Sequence, residues 1–248
     1  MKKLVLIIIF AVGLASCRPN SSSRILGGSN ANLGELPYQA SLQFWGTTFH
    51  FAGASLINTR WVVTTAHGLL GLAGNSVNIV LGVVRLDAPI TSRRSNEIRI
   101  HPLFDKPTLL NDIATVRSSV AIVFNNFIAP ISLSPTFLGL DTSVQISGWG
   151  ATTANKTDEA VHLQVASVIV QSCFDSEFMT FTLQHVCAGM GDAEIGICTN
   201  DVGGPMVLNN MLVGIPFYHD QRFCGSWQPD GYLRITSYRT WIMGNTPL

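Results

Sequence analysis

The strongest constraint on this chain is a recurrence of short apolar segments, rich in Val, Ile, Leu and Phe and bounded by Gly, Pro, Asn or Asp. They run over residues 38–44, 61–65, 77–84, 114–123, 144–147, 163–170 and 211–217. Each has the length of a strand and is too brief for a core helix. Many such segments at close spacing with turn residues between them specify an all-β sandwich or barrel. One helix is predicted near the end of the chain, over residues 237–243, and a turn over residues 172–178. With 248 residues, 47% of them apolar, the chain can fill one large β domain or two small ones.

Charge excludes some partners. The 15 basic and 15 acidic residues cancel to a formal net charge of +0, so nucleic acid and anionic membranes are not expected as partners. Arg93, Arg94 and Arg99 read as a solvated face beside a turn.

The N-terminus pairs Lys2 and Lys3 with an apolar run over residues 4–14 and the small residues Ala15 and Ser16, the pattern of a secretory signal peptide over residues 1–17. That run is too short to cross a bilayer. Leu14-Ala15-Ser16-Cys17 also fits a bacterial lipoprotein box, with Cys17 as the lipidated residue. If Cys17 leaves with the signal, Cys173, Cys187, Cys198 and Cys224 remain, an even number in an oxidising route. Four cysteines allow three pairings, and composition does not choose among them. Their spacing does not suit zinc, and residues 70–87 offer only Asp87 to calcium, so no metal and no cofactor is expected.

Three segments carry the chemistry. They are Trp61-Val62-Val63-Thr64-Thr65-Ala66-His67, then Asn111-Asp112-Ile113-Ala114, then Cys198-Thr199-Asn200-Asp201-Val202-Gly203-Gly204-Pro205. In that order they resemble the histidine, aspartate and serine motifs of chymotrypsin-like (S1) serine proteases. Arg24-Ile25-Leu26-Gly27-Gly28, His101-Pro102, Gly148-Trp149-Gly150 and Tyr232-Leu233-Arg234 match the same family. The resemblance runs from residue 24 to the end. It implies two six-stranded antiparallel β-barrels with a C-terminal helix: a first barrel over about 25–128, a second over about 129–236 and the helix over about 237–245. Residues 18–24 would form a short pro-segment.

By this resemblance His67 is the general base and Asp112 the carboxylate that fixes its tautomer, while the nucleophile position holds Val202. A valine side chain has no lone pair, so no acyl-enzyme forms through it. Asn200 and Val202 stand at the oxyanion-hole positions, and Gly196, Phe217 and His219 at the primary specificity pocket, which the two ring side chains are expected to narrow. Gly196 is uncharged, which favours an apolar over a basic substrate residue. Cleavage after Arg24 would free the Ile25 amine to pair with Asp201. The resemblance also implies the disulfides Cys173–Cys187 and Cys198–Cys224. The family's first-barrel pair is replaced by Ala52 and Gly68. Asn155-Lys156-Thr157 is a glycosylation sequon.

The resulting expectation is a secreted serine protease homologue that is not an enzyme. It would be a monomer acting by binding or regulation on an unknown protein in an extracellular fluid. The loop between Phe217 and Cys224 resembles that of insect chymotrypsins. The alternative is a weak serine-type endopeptidase of chymotrypsin-like preference.

Overall fold

The computed structural model describes residues 28–72, 76–151, 161–174, 179–189, 195–220, 224 and 228–247. The signal peptide, the pro-segment, Arg24, Ile25 and Asn155 lie outside the described residues. The architecture is two closed six-stranded antiparallel barrels and one helix, as the motifs imply.

A short strand β1 (Ser29–Asn30) precedes the first barrel. That barrel uses β2 (Gln39–Phe44), β3 (His50–Leu56), β4 (Trp61–Thr64), β5 (Val77–Leu81), β6 (Thr91–Ile100) and β7 (Ala114–Ser118). They close in the order β2-β3-β4-β7-β6-β5. Its interior is filled by Ala40, Leu42, Ala54, Leu56, Val62, Ile79, Leu81 and Val116, all fully buried. Small and large residues alternate here, as a narrow barrel requires. The predicted strand over 114–123 ends at Ser118, whose hydroxyl donates to the Val120 carbonyl and starts a turn.

After β8 (Ser132–Leu133) the second barrel follows, with β9 (Ser143–Gly148), β10 (Gln164–Gln171), β11 (His185–Ala188), β12 (Met206–Leu208), β13 (Met211–Tyr218) and β14 (Asp230–Arg234). The ring closes because β9 pairs with both β10 and β12. The final helix α1 covers Ile235–Asn245, longer at its start than the apolar pattern indicated, and buries Ile235, Tyr238 and Ile242. Cys173 is bonded to Cys187 and Cys198 to Cys224.

Candidate active site

The site lies where the two barrels meet. At the end of β4 the chain enters a single 3-10 turn, His67–Leu69, which lifts the His67 ring out of the first barrel. Its partner follows Asn111, which sits in the left-handed region at φ 55° and turns Asp112 inward just before β7. Asp112 is fully buried. One carboxylate oxygen accepts the His67 main-chain N–H at 2.7 Å and the other meets His67 Nδ1 at 2.5 Å. With Nδ1 as donor, Nε2 is left to act as the base. The His67 side chain remains 28% exposed, so part of its ring reaches solvent. Burial pushes the Asp112 carboxyl above its ordinary range, and the hydrogen bonds from His67 pull it back.

The second barrel contributes the loop 198–204. Asn200 takes φ 73° and Gly203 φ 83°. Asparagine tolerates this region, so the turn survives without a glycine at 200. Gly203 has no such latitude, because a Cβ there would collide with the Thr64 hydroxyl and the Gly53 carbonyl. The loop is pinned to both barrels: Gly53 N–H of the first donates to the Val202 carbonyl at 2.8 Å, and Gly203 N–H donates to the Pro216 carbonyl of β13 in the second at 2.8 Å. Val202 itself is half-buried and packs on the apolar cluster of the first barrel. His67, Asp112 and position 202 therefore belong to one junction.

Asp201 is sealed beneath the loop. Its carboxylate accepts from Gly150 N–H at 2.7 Å and Cys198 N–H at 2.9 Å. Gly148 and Gly150 are needed for that approach, since a Cβ on either would overlap the carboxylate. Burial raises its pKa to about 7 despite both hydrogen bonds.

The remaining sequence candidates are dispersed around this core. Phe217 is buried at a bulge in β13, stacked on His185 at 4.8 Å and edge-on to Phe181. His219 is buried and donates Nδ1–H to the Asp220 carbonyl at 3.0 Å. Gly196 precedes Ile197, whose N–H is bound at 2.8 Å by the carboxylate of Asp230.

Asp230 was not singled out from sequence. Burial, with the nearby charges of Asp201 and Asp220, drives its pKa well above the carboxylate range, while the Ile197 N–H opposes this. His50 is a second residue that sequence reasoning missed. Its Nδ1 accepts from Ser41 at 2.8 Å and its Nε2–H donates to the Asn200 carbonyl at 3.1 Å, tying β3 to the loop. Burial holds it neutral, with a pKa lowered to about 4. Both residues sit in matched motifs or beside them, but only burial against distant segments marks them.

The family profile described as trypsin matches residues 25–242. The chain is 33% identical over 226 residues to serine protease SP24D of Anopheles gambiae, covering 89% of this chain and 80% of that one. It is 29% identical over 248 residues to trypsin II-P29 of Gallus gallus, covering 97% of each. The solved structure of mouse neuropsin, a serine protease expressed in the limbic system of the brain, superposes with a TM-score of 0.79 at 26% identity, over 88% of this chain and 98% of that one. These likenesses correct the expectation that the chain is not an enzyme. The matched profile and the relatives named as serine proteases and trypsins point to a protease. The physical reason the expectation reached too far is that a hydrocarbon at 202 bears on one route, the acyl-enzyme. It leaves the oriented base untouched.

Proposed function

The chain belongs to the trypsin family of serine proteases, and from that premise we propose that it is a secreted peptide-bond hydrolase of low turnover in which His67 activates water directly. The observation that carries this reading is the His67–Asp112 pair, joined at 2.5 Å with the histidine ring open to solvent. Val202 stands at the nucleophile position and offers no lone pair. Water is then the attacking group. Its oxygen bonds to the scissile carbonyl carbon and its proton passes to His67 Nε2. The same proton is delivered to the leaving amine nitrogen as the C–N bond breaks. Asp112 holds Nδ1–H throughout and stabilises the imidazolium.

Magnitudes set the word "low". In a related triad enzyme, losing the serine costs about 10⁶ in kcat, and binding with the oxyanion hole retains roughly 10³–10⁴ over water. At such rates an occupied cleft outlasts its chemistry. Val202 thereby favours a second output of the same site, capture of an extracellular protein ligand that is cleaved only slowly. The uncharged Gly196 supports an apolar residue before the cleaved bond. Asp230 does not reverse this, because burial drives it toward its neutral form and weakens its pull on a basic side chain.

The Lys2–Lys3 and apolar leader supports export, and no described helix is long and apolar enough to cross a membrane. Cleavage after Arg24 would supply an amine to Asp201, whose raised pKa reflects a buried carboxylate without a cation among the groups that shift it.

The test is prolonged incubation of the chain, cleaved after Arg24, with a peptide mixture read by mass spectrometry, with and without fluorophosphonate. The reading predicts slow cleavage that fluorophosphonate does not block. Cleavage abolished by the reagent would mean that an activated hydroxyl is present and that the water route is wrong.

A further inference from the structure

The hairpin that joins β2 to β3 carries an unbroken run of exposed residues, 44–49. Three of them are aromatic: Phe44 is 40% exposed, Trp45 52% and Phe49 50%. Soluble chains rarely offer several large rings side by side to water. The rings are ordered against one another, with Phe44 stacked on Phe49 at 5.6 Å and tilted against Phe51 at 4.8 Å. The backbone beneath them is fixed. Phe44 N–H donates to the Phe49 carbonyl, Thr47 N–H to the Phe44 carbonyl, and the Asn78 amide to the carbonyls of Phe44 and Thr47. Gly46 takes φ 79° in this turn, and a Cβ there would meet nothing within 4 Å. The tip therefore projects into solvent as a knuckle.

Charge at the tip is one-sided. No Asp, Glu, Lys or Arg occurs between Glu35 and Arg60, so the hairpin can leave water without desolvating a charge of its own. Strand β6 supplies one cation, Arg94, whose guanidinium lies 4.7 Å over the Trp45 ring. Ser76 Oγ accepts from its Nε and Nη2. Arg94 is exposed, and among the described residues no carboxylate pairs with it.

We infer that this hairpin docks on an anionic phospholipid surface, with Phe44, Trp45 and Phe49 entering the headgroup region and Arg94 binding lipid phosphate beside them. Aromatic rings settle at the membrane–water interface, and a guanidinium is well shaped to hold phosphate oxygens. A projecting knuckle suits a deformable surface, whereas a partner protein would have to offer a matching pocket. The zero net charge of the chain argues against long-range attraction, yet it leaves this contact open. Charges beyond a Debye length of about 8 Å are screened, so the docking face is decided locally. Three rings and one cation make a reversible anchor, no stronger than a single acyl chain. Strand β3 runs from the tip to Gly53, which holds the Val202 carbonyl, so docking would set the cleft beside the lipid. The anchor stands independently of the hydrolytic reading, since none of its residues is assigned to that chemistry.

The test is flotation of the intact, disulfide-bonded chain with vesicles of phosphatidylcholine alone, and of phosphatidylcholine with about 30% phosphatidylserine. Saturable binding to the anionic vesicles is expected, half-complete at ~1 mM lipid and about fivefold weaker on phosphatidylcholine. The double variant Trp45→Ser, Phe49→Ser alters only exposed rings and should weaken binding about tenfold or more. Arg94→Gln should retain binding and lose the preference for phosphatidylserine. The inference is overturned if the folded chain does not float with the anionic vesicles, which would give the rings to a protein partner instead. It is equally overturned if phosphatidylcholine binds as tightly, if the folded double variant binds unchanged, or if Arg94→Gln keeps the full preference.

Discussion

The first barrel closes around an interior of alanine, valine, leucine and isoleucine, and none of its described residues forms a disulfide. The second carries both disulfides and buries Asp201, Asp230, His185 and the Tyr232 hydroxyl. One barrel is stabilised by close-packed hydrocarbon, and it carries His67 on a short 3-10 turn. Both halves bury titratable groups, Asp112 and His50 in the first and Asp201 and Asp230 in the second, but among the described residues only the second has cross-links to constrain its unfolded state. The comparison teaches that the two halves of one cleft fail for different reasons. The first should yield to loss of packing volume and to protonation of His50 at low pH, the second to ionisation of Asp201 as pH rises and to reduction.

The largest test of that contrast is pH. Asp201 has a raised pKa of about 7 against an ordinary 3.8, so the folded state holds its proton more tightly than the unfolded one. Its contribution is fully present below pH 3.8 and is lost as pH rises through about 7. The shift corresponds to about 4 kcal/mol. His50, lowered to about 4 by burial, acts in the opposite sense, with stability falling as pH drops from 6.5 toward that value. The informative quantity is therefore the difference between the chain and its Asp201→Asn variant. Denaturant titrations should show that difference moving against the native chain by about 4 kcal/mol as pH rises across the window. The movement should shrink once cleavage after Arg24 provides an amine. A difference independent of pH would place the charge burden elsewhere.

Next in size is the Cys198–Cys224 bridge, which spans 26 residues. Replacing both cysteines by serine should cost about 3.5 kcal/mol, read as a lowered denaturation midpoint. The converse change would bring the first barrel closer to the second. A Cβ on Gly68 would stand 3.5 Å from that of Ala52, within the range for a disulfide. The double variant Ala52→Cys, Gly68→Cys should oxidise spontaneously. It should gain up to about 3 kcal/mol, less some crowding where the new Cβ meets the Thr65 hydroxyl at 3.1 Å. Failure to bond would show that β3 and the turn after β4 are held apart. The smallest effect is on the outer face, where Arg99 lies 4.7 Å over the Trp61 ring and binds Glu97. Arg99→Ala should cost about 1 kcal/mol, visible as a small shift in thermal midpoint.

Legibility in the sequence followed the same division. Strands β4, β5 and β7 announce themselves by runs of β-branched residues that fill the first barrel. Strand β6, Thr91–Ile100, does not, because its Arg93, Arg94 and Glu97 are half-buried or exposed charged residues and its pairing is set by neighbours on both sides. Strand β11 has only four residues and β14 is broken by Asp230 and Gly231, so periodicity has little to register. His67 and Asp112 were legible because their flanking motifs are local. Asp230 and His50 were not, since each owes its character to a partner far along the chain, Ile197 for one and Asn200 for the other. The packing of Phe217 against His185 likewise depends on a bulge that no local pattern encodes.

The central claim is that an oriented histidine turns water on a bound peptide. The direct measurement is the hydrolysis rate of one chromogenic peptide by the protein cleaved after Arg24, compared with an otherwise identical His67→Ala preparation. The account predicts a slow rate in the first that falls at least a hundredfold in the second, with no initial burst in either. Equal rates in the two preparations, or a burst of product matching the protein concentration, would contradict it.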